Sequence, residues 1–317
     1  MAGRNRVAVI GAGPLGLMAI KSFLEEGFDV TCFEARPYVG GLWKDNDDDS
    51  LSVHATTIFN SSKFRAAISD FPFPEDFDIY PTAAQIHKYL ESYAENFRLK
   101  EHIQLNSTVK QILRKDTLWS VTVTNSATSE TRDHAFDRVC VATGTFHKPC
   151  FPKLDGLDKF SGKVLHSINF HGSEPFEDQN VLLIGMHATS QDVTNALSTS
   201  AKHVYLSHRH GLLLVPCFQN GEAFDATQRL PILFIQSWMD ENMPGVMTWL
   251  LDKMINSISE KAFPGVSEDW GLRPTPSLAV STPLMADIIY SLLSSGFAQS
   301  VPAVKEITGP KSVLLTY

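Results

Sequence analysis

Apolar residues along this chain gather in short runs that glycines interrupt, and the first run governs how the rest is read. Residues 7–10 (Val-Ala-Val-Ile) are continuously apolar, as expected of a strand buried on both faces. The run passes directly into Gly11-Ala-Gly13-Pro-Leu-Gly16. Apolar positions then recur at helical spacing to about residue 26, with Leu17, Ile20 and Leu24 facing inward and Gly27 as the stop. A second strand covers 29–33 and ends on Glu34. The glycines thus occupy the strand-to-helix turn of a β-α-β unit, the context that gives such a motif meaning. Residues 71–81, rich in proline and aromatics, read as irregular. A helix over 82–97 follows, with Thr82 and Gln85 as a capping box and Ile86, Tyr89, Leu90, Tyr93 and Phe97 on one face. Residues 109–113 and 118–124 read as a hairpin, and 138–142 as a strand leading into Thr143-Gly144.

The same pattern then repeats: strand 181–184, glycine turn 185–192, helix 193–197, strand 203–206. Residues 231–276 are helical and aromatic without a recognisable motif. A last helix is predicted with Thr282 as cap and Pro283 in its first position, burying Leu284, Ile288, Ile289, Leu292 and Leu293 and stopped by Gly296. These elements predict an α/β protein with two Rossmann-like, doubly wound dinucleotide-binding domains.

The length of 317 residues fits about two domains, and 43% hydrophobic with 20% charged residues excludes a disordered chain. A net charge of −8 argues against nucleic acid as a partner. No apolar run approaches the ~18–20 residues of a membrane span, and a strand begins too early for a signal peptide. The four cysteines (Cys32, Cys140, Cys150, Cys217) lack metal-type spacing and read as reduced thiols of an intracellular, cytoplasmic protein. Asp45, Asp47 and Asp49 alternate as in a calcium loop. Ser50 and Thr56 replace its turn glycine and closing glutamate, so a solvated loop is expected.

Glu34 at the end of the second strand can accept hydrogen bonds from ribose hydroxyls and would repel a 2′-phosphate, which selects FAD or NAD. Gly40-Gly41, so soon after it, suits the extended pyrophosphate of FAD.

Several segments together resemble the flavin-containing monooxygenases. They are Gly11 to Gly16, Glu34 with Gly40-Gly41-Leu42-Trp43, Asn60-Ser61-Ser62-Lys63 followed by Asp70-Phe-Pro-Phe-Pro-Glu-Asp-Phe, and Phe160-Ser-Gly162-Lys-Val-Leu-His166-Ser-Ile-Asn-Phe170. The last fits that family's F-x-G-x-x-x-H-x-x-x-[Y/F] fingerprint, which the related Baeyer–Villiger enzymes close with Trp-Pro. The resemblance extends over essentially the whole chain. It implies an enzyme of the dimethylaniline-oxygenating kind with an NADP domain inserted into an FAD domain. NADPH would reduce the flavin, oxygen would add at flavin C4a, and the hydroperoxide would oxidise a soft nitrogen or sulfur of a small molecule.

The implied domains are 1–170 for FAD, 171–280 for NADP with a helical insertion, and 281–317 as an incomplete return to the FAD domain. Cofactor contacts are implied at Gly11, Gly13, Pro14, Leu15, Gly16, Glu34, Arg36, Gly41, Leu42 and Trp43. Further ones are Phe59, Asn60, Val109 and Thr143, with Asn60 also the catalytic amide beside the flavin ring and nicotinamide. His166 is expected to organise the linker between domains.

In the second glycine turn, Gly185-Met-His187-Ala188-Thr189-Ser190-Gln191-Asp192, contacts are implied at Gly185, Ala188, Thr189, Ser190 and Gln191. His187 stands where the family has glycine, and Thr189 and Ser190 are expected to donate to phosphate. The following strand leads into Ser207-His208-Arg209-His210, where the Arg209 guanidinium can pair with a 2′-phosphate and so favours NADP over NAD. His203, His208 and His210 lack the cysteine or carboxylate partners of a metal site.

The family continues past a strand like 312–317 into a further segment that closes over the flavin, so the chain reads as shortened at its C-terminus. Two alternatives stay open: a non-catalytic nucleotide-binding pseudoenzyme, and a Baeyer–Villiger-type monooxygenase. A flavin-dependent reductase is disfavoured, since no C-x4-C pair follows the first glycine motif. Trp238, Trp249 and Trp270 are expected to serve packing.

Overall fold

The computed structural model describes residues 5–44, 51–146, 148–227, 230–273 and 275–316. The acidic loop 45–50 lies outside the described residues. The chain forms two compact units, one of residues 1–59 and 67–149, the other of 60–66 and 150–317.

The first unit runs β1 (Arg6–Ile10), α1 (Pro14–Glu25) and β2 (Asp29–Phe33). The four-residue helix α2 (Lys63–Ala66) belongs to the second unit. Then come α3 (Ala83–Asn96), β3 (Ile103–Gln104), β4 (Ser107–Lys115), β5 (Leu118–Asn125), β6 (Thr131–Phe136) and β7 (Arg138–Val141). A parallel sheet has the order β3-β2-β1-β7, with Val9 opposite Cys32 and Cys140. β4, β5 and β6 form a separate antiparallel sheet, whose Val121, Val123 and Phe136 pack against Ala8, Ile10 and Phe33 of the parallel one. β6 escaped the sequence reading, because Thr-Arg-Asp-His-Ala-Phe shows its apolar face only at its end.

The local signals at the helix ends act as expected. Thr82 and Gln85 bond reciprocally at the start of α3. Past α1, Gly27 N–H donates to the Leu24 carbonyl (3.0 Å) and Phe28 N–H to that of Phe23 (2.9 Å), which closes the helix. Leu24 and Phe97 are only half-buried, since each lies at the frayed edge of its apolar stripe. Asp70, from the Asp-Phe-Pro-Phe segment, ties down α1: its carboxylate meets Lys21 Nζ at 2.6 Å.

The second unit contains β8 (Asn180–Ile184), α4 (Ala188–Leu197), β9 (His203–Ser207), β10 (Leu214–Val215), β11 (Phe218–Gln219) and β12 (Glu222–Ala223). These are followed by α5 (Leu230–Asn242), α6 (Pro244–Ala262), β13 (Leu284–Met285), α7 (Asp287–Ser294), β14 (Ala298–Val301), β15 (Val304–Gly309) and β16 (Ser312–Leu315). Its parallel sheet has the order β14-β9-β8. Val204 and Leu206 of β9, Val193 and Leu197 of α4, and Ile289 and Leu293 of α7 share one core with Phe170.

One expectation is corrected, and the compact units divide the chain differently from the implied domains. The last helix begins at Asp287 rather than after Thr282. Leu284 N–H donates to the Leu213 carbonyl (2.8 Å) and Ala286 N–H to that of Val215 (3.0 Å), so 284–285 pairs as a strand with β10. Residues 281–317 belong to the second unit, because β14 extends the β8–β9 sheet and α7 packs on α4. That unit also begins at 150 rather than 171, since Ile307 N–H reaches back to the Asp155 carbonyl at 2.8 Å. Trp238 and Trp249 are exposed, the latter with Lys253 Nζ 4.1 Å from its ring centre. Among the described residues no helix is long and apolar enough to cross a membrane.

Candidate cofactor-binding sites

In the first unit the turn after β1 is assembled from backbone. Gly11 adopts φ +100°, and its N–H donates to the Phe33 carbonyl at the end of β2 (2.9 Å). A Cβ on Gly11 would stand 2.7 Å from the Ala142 carbonyl oxygen, so Thr143 follows immediately beside the turn. Pro14 occupies the first position of α1, and Leu15 is exposed at the helix start. Gly16 is buried where a Cβ would meet the Gly11 carbonyl oxygen at 2.0 Å.

Glu34 is buried, and its two oxygens accept from Ala12 N–H (2.6 Å) and Arg36 N–H (2.9 Å). The carboxylate therefore ties the end of β2 to the glycine turn. The Arg36 guanidinium donates to the carbonyls of Gly41 (2.6 Å) and Leu51, holding the Gly40-Gly41 loop. Gly40 N–H donates to Ala12 (2.9 Å), and a Cβ on Gly41 would stand 3.1 Å from Gly13 Cα. Two glycine segments thus meet backbone to backbone at the helix N-terminus, a place suited to a pyrophosphate. The one-turn helix Gly41–Trp43 carries Leu42, and the Trp43 ring meets Phe59 edge-on at 5.0 Å. His87 of α3 braces this loop through Nε2 and the Val39 carbonyl (3.2 Å), a support with no local sequence signal. Burial pushes the Cys32 thiol beneath the turn up to about 12, with the Glu34 and Cys140 charges adding to the effect.

The second unit repeats the construction. Gly185 has φ +110°, and its N–H donates to the Ser207 carbonyl at the end of β9 (2.8 Å). His187 caps α4 in an extended conformation and directs its imidazole to the Thr282 carbonyl (3.2 Å). The Ser190 hydroxyl donates to the Gly185 carbonyl at 2.8 Å. Thr189 and Ala188 are exposed at the helix start, whereas Gln191 keeps a buried side-chain oxygen without a partner among the described residues.

A cleft of about 1080 Å³ opens here, lined by Gly185, His187 and the exposed Arg209. Lys153 and Arg273 join it from distant parts of the chain, and no Asp or Glu is among its described lining residues. His208 is fixed on its wall by the His210 carbonyl (2.7 Å) and Ser300 Oγ (2.7 Å). A cleft whose described lining holds three permanent cations and no acid, at the carboxyl ends of parallel strands, is suited to a phosphate-bearing nucleotide.

A family model described as flavin-binding monooxygenase-like matches residues 4–315. The chain belongs to this family. It is 32% identical over 309 residues to the monooxygenase aurF of Gibberella zeae, covering 97% of this chain and 58% of that protein. It is 30% identical over 321 residues to dimethylaniline monooxygenase [N-oxide-forming] 2 of Macaca mulatta, covering 98% and 58%. The chain therefore spans a little under three-fifths of the length of these relatives. Among solved structures it resembles S-allyl-L-cysteine S-oxygenase from Allium sativum with a TM-score of 0.61 and 26% identity, over 68% of this chain and 54% of that one.

The remaining residues of this flavin-binding monooxygenase-like chain divide by unit. Val109 is half-buried against the Ala8–Phe33 core of the first unit. Asn60 is exposed and belongs to the second unit. Two residues of the 160–170 fingerprint make local contacts in the second unit. His166 Nδ1 accepts from Ile168 N–H (3.2 Å) and its ring meets Phe151 at 5.2 Å, while Phe170 is buried in the core. Lys153, Arg273 and His87 were missed by sequence reasoning because only tertiary contacts bring them to their sites.

Proposed function

We propose that this chain is the nucleotide-binding part of an FAD- and NADPH-dependent monooxygenase that uses O2 to oxygenate a soft nitrogen or sulfur of a small molecule. In this reading the two units are Rossmann-like, doubly wound domains, the first for FAD and the second for NADP. The observation that carries it is the pair of glycine turns of one design with opposite surroundings: a buried carboxylate behind the first, and around the second a cleft whose described lining holds three cations and no Asp or Glu.

The residues present fit both cofactors. The backbone cradle of Gly11, Gly13 and Gly41 would take the FAD pyrophosphate and Glu34 its ribose. Arg209, with Lys153 and Arg273, would hold the 2′-phosphate of NADPH. When bound, the two cofactors supply hydride transfer and the activation of oxygen. Asn60 would place its side-chain amide as a donor toward the reacting oxygen, where one preorganised donor is worth about 10²–10³ in rate. The relatives named for N-oxide formation and S-oxygenation support a soft nucleophile as substrate.

The test follows NADPH oxidised, hydrogen peroxide released and sulfoxide formed from methyl p-tolyl sulfide in one reaction. Asn60→Ala is expected to keep its yellow flavin and its NADPH consumption while releasing most of the oxygen as peroxide. A wild-type chain that stays colourless with added FAD overturns the reading. A mutant that oxygenates as efficiently as wild type removes Asn60 from this role.

A further inference from the structure

Within the second unit, a hydrogen bond to a part-buried carboxylate ties the segment 60–66 to residue 225. Ser62 is fully buried, and its backbone N–H donates to Asp225 Oδ2 at 2.7 Å across 163 residues of chain. Its carbonyl is engaged as well, accepting from Arg65 and Ala66 N–H at 3.0 Å each as α2 begins. Residue 62 is therefore pinned on both sides of its peptide, and Asn60 lies two residues before the pin.

Asp225 is itself well braced. It sits in the one-turn helix Phe224–Thr227, where Thr227 Oγ1 donates to the Phe224 carbonyl (2.7 Å). Phe224 N–H donates to the Cys217 carbonyl (2.8 Å), and Cys217 N–H to Asp287 Oδ2 (2.7 Å) in the first turn of α7. Hydrogen bonds and the short stretches of chain between them thus link α7 to the 60–66 segment. Asp225 Oδ1 and Ser62 Oγ are both buried without a hydrogen-bond partner among the described residues. The carboxylate supplies a charge-assisted bond to the Ser62 amide.

We propose that Asp225 is a positioning residue: its carboxylate holds the Ser62 amide and thereby fixes the 60–66 segment and the placement of Asn60. The proposal deepens the functional reading above and rests on it for the role of Asn60. Its first readout is independent of catalysis.

The experiment compares the full chain with Asp225→Leu and Asp225→Asn by hydrogen exchange and by coupling of NADPH oxidation to sulfoxide. In wild type the Ser62 amide should be protected relative to the preceding Ser61. In Asp225→Leu exchange over 60–66 should rise about tenfold or more, with the 118–125 strand unchanged. Asp225→Asn, which keeps an acceptor, should stay within about threefold of wild type. With FAD content and NADPH oxidation retained, Asp225→Leu should release peroxide as Asn60→Ala does, and Asp225→Asn should restore coupling. An unprotected Ser62 amide in wild type overturns the proposal even if the leucine variant fails to fold. So does unchanged exchange in Asp225→Leu, or raised exchange with intact coupling while Asn60→Ala is uncoupled. If Asn60→Ala is itself fully coupled, the role of Asn60 fails, and the exchange data alone decide whether Asp225 holds the segment.

Discussion

Ser190 Oγ donates to the Gly185 carbonyl at 2.8 Å, at the helix position where Gly16 of the first unit brings a bare Cα against the Gly11 carbonyl. Both residues lie five positions beyond the first glycine of their turn. One unit closes the strand–helix junction by omitting a side chain, the other by a hydrogen bond. Their substitutions should therefore differ. Gly16→Ala forces a Cβ into a space 2.0 Å from a backbone oxygen and should cost about 3 kcal/mol or more, with loss of flavin retention. Ser190→Ala removes one neutral hydrogen bond and should cost about 1 kcal/mol. Urea unfolding of the two variants checks the contrast.

Glu34 serves the turn before any ligand arrives, since its oxygens already hold Ala12 and Arg36 N–H. Glu34→Ala should weaken FAD about 10–100-fold, the value of charge-assisted hydrogen bonds. Glu34→Gln retains one acceptor oxygen and should fall between the two. Flavin released on dilution, read by fluorescence, gives the ranking. Equal retention in all three removes Glu34 from the site.

Arg209 is exposed in a cleft whose described lining holds no acid, and its expected partner exists in NADPH and not in NADH. Arg209→Ala should weaken NADPH about tenfold and leave NADH nearly unchanged. Arg273→Ala should produce the same selectivity at smaller amplitude, because Glu260 already lies 3.9 Å from its guanidinium. An equal loss for both nucleotides would mean that these cations only attract charge in general. Titrations of the full chain with each nucleotide separate the outcomes.

The Lys21–Asp70 pair makes stability depend on acidity. The Lys21 hydrogen bond lowers the Asp70 pKa below its ordinary 3.8. A carboxyl lowered on folding adds stability above its unfolded value, and this is lost as pH falls through the lower folded value. Asp70→Asn should therefore be less stable than wild type near pH 6, and the difference should vanish below both pKa values. Thermal unfolding at pH 6 and in strong acid tests this. A difference that persists in acid would mean the loss is one of packing at α1.

Much of the chain could be read from its sequence because local rules suffice for it. Short apolar runs define β1, β2, β8 and β9, a glycine must occupy a turn at φ +100° or +110°, and a Thr–Gln pair caps α3 within its own first turn. Glu34 and Arg209 were accessible for the same reason, each lying at or just past the end of a strand whose position was known. Tertiary structure decided whatever depends on a partner far along the chain. Leu284 and Met285 are strand and not helix because the free backbone groups of β10 satisfy theirs. Polar, partly exposed β6 becomes a strand because β5 offers it a ladder. Arg36 is drawn onto two carbonyls, Lys153 and Arg273 line one cleft with Arg209, and Asp225 finds Ser62, since burial and hydrogen bonding reward proximity in space and leave no periodic trace in sequence.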